Sequence, residues 1–456
     1  MRRLFIAFIA VVYSLLSQAS QESERKEALQ WLSELPEHGI DVQPKHWQLI
    51  GNTPTKDQIR EVVNLYTWYM DAGILNRHYY QPGWTIKDVA TTPTYSGLTP
   101  PLDRISPDIP EYKHLIKALK QLRNWKRNAY SLFPNDFILF DGDSHSSIKL
   151  LNQWLENLDL ADDLPDDVYT QVHKDVLTEV QLRFKLVPDG RLGNMTRQAL
   201  LSITNERIRT VKANMERLRW LPRTLPYPRV WVDIAGYTTR YQRNPKDSTT
   251  HKIIIGVPHK QSPILQSEIE KITINPTWKV PHSIAKSLLK KEKQNPGFFL
   301  REKFKVYKSW DDNSPEIAPD SVNWKAVTPK SFTYRLEQQP GELNRLGQFK
   351  LGFKNSFGVY LHDTDKPELF EKERRAFSSG CIRVHHVKAL VETIAKEQGL
   401  ASELKAALNG NYSDTLELKK KIPVYTVYFT AWPDKNGRVR FRDDIYQLDN
   451  ALISEF

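Results

Sequence analysis

Apolar positions along the chain follow two regimes. In the first half they recur every three or four residues, and from residue 229 they mostly alternate. Residues 58–70 (QIREVVNLYTWYM) predict one helix. Residues 111–125 predict another, with Tyr112, Leu115, Ile116, Leu119 and Leu122 on one face. Between them, residues 91–110 are dense in proline and turn formers, including Pro100-Pro101, which predicts loop. Residues 206–221 predict an amphipathic helix with Ile208, Val211, Met215, Leu218 and Leu221 inward, ended by Pro222. Strands are predicted at 230–234, 252–257, 269–274, 348–353, 358–362 and 424–432. A helix follows the last cluster of chemistry, with Val387, Leu390, Val391 and Ile394 at helical spacing. Residues 282–346 interrupt the strands with a Lys-rich helix at 284–293 and then a polar, Pro-containing stretch. An interruption this long inside a compact domain is usually functional, for example a lid. Its lysines (Lys286, Lys290, Lys291, Lys293) read as a solvated face.

Composition narrows the class. At 456 residues there is room for two to four domains and a large core. With 12 Trp, 19 Tyr and 18 Phe the chain is not a disordered polymer. Met1-Arg2-Arg3 and the apolar run 4–16 have the form of a secretory signal peptide, with Ser17 and Ala19 at the −3 and −1 positions of a cleavage site. The run is shorter than the ~20 apolar residues of a membrane span, so no span is expected after cleavage; an uncleaved anchor is the alternative. The net charge is +11, and about +9 without residues 1–19. A basic exported protein suits an anionic partner, such as a carboxylate-bearing wall polymer. Nucleic acid fits poorly, since no binding module for it is recognisable.

One cysteine excludes an internal disulfide. That cysteine, Cys381, lies in Ser378-Ser379-Gly380-Cys381-Ile382-Arg383, 19 positions after His362. A thiol attacks as its thiolate, which a nearby imidazole or cation makes accessible. Small residues before Cys381 would let a substrate carbonyl approach and would free backbone N–H groups for an oxyanion. Arg383 could grip a carboxylate. His78, His114 and His145 have no partner spacing and read as ordinary histidines. No HExxH or CxxC pair points to a metal, and no cofactor is expected; a zinc site of Cys381, His362 and His385 is a minor alternative.

His362-Asp363-Thr364 followed by Ser378-Ser379-Gly380-Cys381-Ile382-Arg383-Val384 resembles the catalytic signature of YkuD-type L,D-transpeptidases, in particular the large YcbB-like branch of Gram-negative bacteria. The segments 275–281 (NPTWKVP), 355–357 (NSF) and 427–432 (VYFTAW) extend the resemblance. Residues 180–200 resemble a peptidoglycan-binding module, with Val180 where Phe is usual and Lys185 where Gly is usual. A helical spacer that binds no glycan is the alternative reading of that module. Asp365 stands where Pro is common, and His385-His386 where an acidic residue is expected.

The resemblance implies an α+β multidomain chain. A helical scaffold with an inserted three-helix peptidoglycan-binding-like module would precede a YkuD-type β-sandwich catalytic domain with a capping insertion. The corresponding boundaries are a signal peptide at 1–19, scaffold at 20–145, module at 146–205 and a return helix at 206–228. The catalytic domain would take 229–398, with its cap at about 282–346, and 399–456 would complete it. The implied reaction is transfer of a peptidoglycan tetrapeptide stem through Cys381, with His362 as base and acid and with Gly380, Ser379 and Arg383 around them. Tyr360, Trp278, Ser378 and Asn275 would bind substrate. Stem peptides and glycan are the implied partners, carbapenem β-lactams the implied covalent inhibitors, and the periplasm the implied location. Water or a lipoprotein lysine as acceptor, and a non-catalytic wall-binding protein, remain open from sequence.

Overall fold

The computed structural model describes residues 2–81, 83–86, 97–133, 138–410 and 412–456. They form two compact units, Met1–Leu225 with Phe429–Phe456, and Pro226–Tyr428.

The first unit is helical: α1 (Arg2–Glu34), α2 (Pro44–Gly51), α3 (Lys56–Ala72), the one-turn α4 (Arg77–Tyr80) and α5 (Leu102–Ile105), α6 (Pro110–Leu132), α7 (Ser147–Asn157), α8 (Gln171–Arg183) and α9 (Asn194–Arg219). α3 contains the helix predicted at 58–70. It begins with a capping box, in which the Thr55 hydroxyl accepts from the Gln58 amide and the Gln58 side chain accepts from the Thr55 amide. Its apolar face (Ile59, Val63, Tyr66, Met70) closes a core with Trp31, Leu32 and Leu35 of the first helical stretch. α6 contains the helix predicted at 111–125. Residues 91–96 of the expected loop lie outside the described residues, and the rest of that loop includes α5. α1 runs on through position 19; among the described residues no helix is long and apolar enough to cross a membrane.

α7, α8 and the start of α9 make the three-helix module. Its Asp189-Gly190 turn forms as expected, with Gly190 at φ +67°. Gln181 ties the turn to α9 by accepting from the Gly190 amide and donating to Thr196. Lys185 adopts φ +56° just beyond α8, the left-handed conformation that makes Gly the common residue there. The module's third helix and the expected return helix are one continuous helix, because no Gly or Pro interrupts residues 194–219.

The placement of the C-terminus corrects the sequence reading. Residues 399–428 stay with the sheet, but 429–456 fold with the helices. A buried polar cluster holds them there. Asn214 of α9 donates to the Thr430 hydroxyl (2.8 Å) and accepts from its amide (2.9 Å). Thr430 donates to Asp449 (2.7 Å), which pairs with Arg217 at 2.6 Å. The strand predicted at 424–432 therefore divides after Val427.

The second unit carries β1 (Arg229–Asp233), β2 (Thr238–Asn244), β3 (Asp247–Gly256), β4 (Leu265–Ile274), β5 (Trp278–Lys279), β6 (Phe304–Tyr307), β7 (Glu316–Ile317), β8 (Arg335–Gln338), β9 (Phe349–Phe353), β10 (Leu361–His362), β11 (Ala376–Ser378), β12 (Ile382–Val384) and β13 (Asp414–Val427). Nine of them form one sheet in the order β11-β3-β12-β10-β9-β4-β13-β1-β2, and β2 returns to pair with β3. The layered sheet implied by the resemblance is thus one sheet that closes on itself. β2 and the first half of β3 escape the sequence pattern because they alternate Thr, Arg, Gln and Lys rather than apolar residues. Residues 282–346 are a folded subdomain rather than a loose loop. The helix His282–Gln294 packs with the four-stranded sheet β5-β8-β6-β7. Its core includes Leu289, Phe299, Val306, Trp324 and Leu336.

Candidate active site

Three neighbouring strands build the site. β10 pairs with β12 so that His362 lies opposite Arg383, and with β9 so that His362 lies opposite Lys350. Directly opposed residues share a face of a sheet. Lys350, His362 and Arg383 therefore form a row, and all three line a cleft of about 630 Å³. Cys381 immediately precedes β12 and opens into the same cleft. The insertion contributes Ser283 and Ile284 to the wall.

The loop that carries Cys381 is fixed from inside. The Ser378 hydroxyl accepts from the Gly380 amide (3.1 Å) and donates to the Cys381 carbonyl (2.5 Å). The Gly380 carbonyl accepts from Ser262 (2.8 Å), whose hydroxyl also accepts from Gly256 (3.0 Å). Gly380 sits at φ +114°, a conformation that L side chains rarely adopt. Two sequence expectations change accordingly. The Gly380 N–H is already bonded, so it is not an oxyanion donor, and Ser378 braces the loop rather than holding substrate. Ser379 is exposed on the cleft.

Burial is the main electrostatic influence. It holds the His362 imidazole down to about 3, helped by Arg383 and Lys350 and opposed by backbone groups of Asp363 and Leu346. The ring is neutral at physiological pH, and its Nδ1 is buried without a hydrogen-bond partner. Burial pushes the Cys381 thiol up, while the amide and hydroxyl of Tyr360 and the charges of Lys350 and Arg383 pull it down. Burial raises the Tyr360 phenol as well, and the nearby sulfur adds to this. The Tyr360 hydroxyl therefore stays protonated as a donor. Its ring meets His362 edge-on at 5.4 Å, and the Trp278 side chain hydrogen-bonds to it. Trp278 both lines the cleft and packs in the subdomain core.

Other expected residues separate from the site. Asn275 is corrected: it turns the chain at φ +48° between β4 and β5, donates to the Gly410 carbonyl at 2.9 Å, and does not line the cleft. Asp363 points away, accepting from the Gln348 amide at 2.9 Å. His385 packs in tilted contacts against Phe370 (4.6 Å) and His386 (3.7 Å). Among the described residues no three His, Cys, Asp or Glu side chains converge to hold a metal ion.

Sequence reasoning missed Lys350, Lys260, Lys279 and Arg345, which make the cleft basic. Arg345 is held by Asp365, the position where the resemblance led us to expect Pro. The signal for Lys350 lay in the pattern of β9, where Phe349, Leu351 and Phe353 alternate with Lys350 and Gly352.

Residues 227–405 match the YkuD family, described as the L,D-transpeptidase catalytic domain. The segment is a YkuD domain. Residues 144–200 match a family described as "Putative peptidoglycan binding domain". A Haemophilus influenzae protein, whose L,D-transpeptidase name is itself provisional, is 30% identical over 241 residues, 52% of this chain. The chain spans about half (48%) of the length of that curated relative. A solved L,D-transpeptidase structure from Xylanimonas cellulosilytica aligns with 64% of this chain and 99% of its own at 11% identity, with a TM-score of 0.19, too low to bear on the fold. The chain therefore joins a helical region holding a peptidoglycan-binding-type module to a sheet-rich YkuD domain.

Proposed function

We propose that the protein is a cysteine-dependent L,D-transpeptidase of the large YcbB-like branch, exported to the periplasm, which forms 3→3 cross-links between peptidoglycan stems. The observation that carries this reading is the opening of Cys381 and His362 into one cleft whose charged lining is cationic: Lys260, Lys279, Arg345, Lys350 and Arg383. Such a lining suits a donor stem, which bears carboxylates.

In the first half-reaction His362 takes the Cys381 proton. The thiolate then attacks the carbonyl of the third stem residue, a diaminopimelate. The C–S bond forms, the C–N bond to terminal D-Ala breaks, and His362 returns the proton to the leaving amine. In the second, the side-chain amine of a diaminopimelate on another stem attacks the thioester. Its proton passes to His362, the C–S bond breaks, and the thiol is restored. The Cys381 N–H and the Tyr360 hydroxyl are the donors for the oxyanion, in place of Gly380. Arg383 and Lys350 favour return of the proton, since like charges disfavour an imidazolium. The module at 144–200 binds the glycan of the wall. A carbapenem would acylate Cys381 by opening its lactam amide in the same way. Incubation of the protein with purified disaccharide-tetrapeptide, followed by analysis of the muropeptides, tests the acceptor. A 3→3 dimer with release of D-Ala is expected. A tripeptide without dimer would replace the transpeptidase with a carboxypeptidase.

A further inference from the structure

The charge arrangement at Cys381 is incomplete if only Cys381 and His362 are considered. A thiolate in a half-buried site needs a compensating positive charge. The imidazole is neutral before reaction and gains charge only as the proton moves. Arg383 is partly engaged, with Nη1 at 3.4 Å from the Thr364 hydroxyl and the Asp365 charge acting on it.

Lys350 differs. Its Nζ stands 4.1 Å from the centroid of the Tyr360 ring, a cation–π contact. Tyr360 is the residue whose amide and hydroxyl reach the sulfur. Lys350 is half-buried, opposite His362 across β9–β10, and lines the Cys381 cleft. Among the described residues no carboxylate faces it. Glu270, on the neighbouring strand β4, is held by Lys421 (2.6 Å) and Lys354 (3.5 Å), and the charge that acts on Lys350 from β4 is the like charge of Lys271. Burial pushes the Lys350 ammonium down and Lys271 adds to this, while the Cys381 charge pulls it up, so the sulfur is the anion with which it interacts.

We infer that Lys350 is the counter-cation of the Cys381 thiolate, held in position by the Tyr360 ring. It rests on the reading of Cys381 as nucleophile and adds a positioning residue to it. The charged and titratable groups acting on the sulfur are Tyr360, just before β10, Lys350 from β9 and Arg383 from β12, and His362 of β10 lines the same cleft. Of the two cations acting on the sulfur, Arg383 remains when Lys350 is removed.

The test is the rate of Cys381 alkylation by iodoacetamide against pH, read by intact mass on the full chain. Wild type, Lys350→Met and Lys350→Arg are compared, with Cys381→Ala as blank. Near-UV circular dichroism establishes folding, and Lys350→Gln serves where Lys350→Met fails to fold. We expect Lys350→Met to react at least tenfold more slowly at pH 7 and to approach wild type at high pH. Lys350→Arg should recover most of the rate. In the acylation reaction Lys350→Met should lower kcat at least tenfold with KM changed less than threefold. An unchanged alkylation profile in folded Lys350→Met overturns the inference. Absence of any Cys381 alkylation in folded wild type would instead remove the nucleophile reading on which it stands.

Discussion

Ser378 uses one hydroxyl twice, accepting from Gly380 and donating to Cys381, and so sets the backbone on both sides of the reactive residue. Replacement by Ala leaves two backbone groups without their partner, at a cost of about 1–3 kcal/mol each where buried. Ser378→Ala should therefore lower kcat/KM for acylation by about tenfold or more, since a small displacement of a nucleophile is costly. An unchanged kcat/KM would show that the loop does not depend on this hydroxyl. At this scale Cys381 and His362 were legible, because few residue types can perform the chemistry and their spacing is particular. The bonds that Gly380 and Ser378 make within the loop were not foreseeable, since the destination of a backbone N–H depends on loop geometry that sequence does not specify. Asn275 was misplaced for a related reason. An Asn at a left-handed corner and an Asn facing substrate look alike in one dimension.

Among the elements, the register of β9, β10 and β12 decides which side chains meet. A slip of one residue would turn Lys350 and Arg383 away from His362. Long apolar-periodic helices were readable, as α3, α6 and the second half of α9 show. β2 and the start of β3 were not, because the partner strands rather than their own side chains hold them in the sheet. The insertion at 282–346 was expected as a cap from resemblance, but its own strands were not readable, since its core draws single aromatics from scattered positions such as Phe299, Trp324 and Phe332. One buried carboxylate anchors it: Glu292 accepts from the amides of Gly297 and Phe299, both at 2.7 Å. Glu292→Ala should destabilise this turn by about 1–3 kcal/mol, and limited proteolysis should then cut near residues 295–300. Resistance equal to wild type would show that the turn holds without it.

For the molecule as a whole, chain order and folded units do not coincide. The last residues leave the sheet and join the helices, and the reason lies in a single polar cluster that no periodicity announces. Arg217 and Asp449 are 232 positions apart and both nearly inaccessible. Asp449→Ala removes the carboxylate from a buried guanidinium, a change worth about 3–5 kcal/mol. Urea unfolding followed by tryptophan fluorescence should show a loss of that order, and a loss below about 1 kcal/mol would mean that the cluster relaxes around the missing charge. The division into a helical unit with a wall-binding type of module and a YkuD unit was legible in outline, because the two regimes of apolar spacing differ.

The central claim is that Cys381 becomes acylated by a stem peptide. Intact-mass spectrometry of the protein mixed with disaccharide-tetrapeptide, and separately with a carbapenem, reads this directly when wild type is set against Cys381→Ala. The account predicts an adduct in wild type with both compounds and none in Cys381→Ala. Folded wild type with a reduced thiol and no adduct from either compound would contradict it.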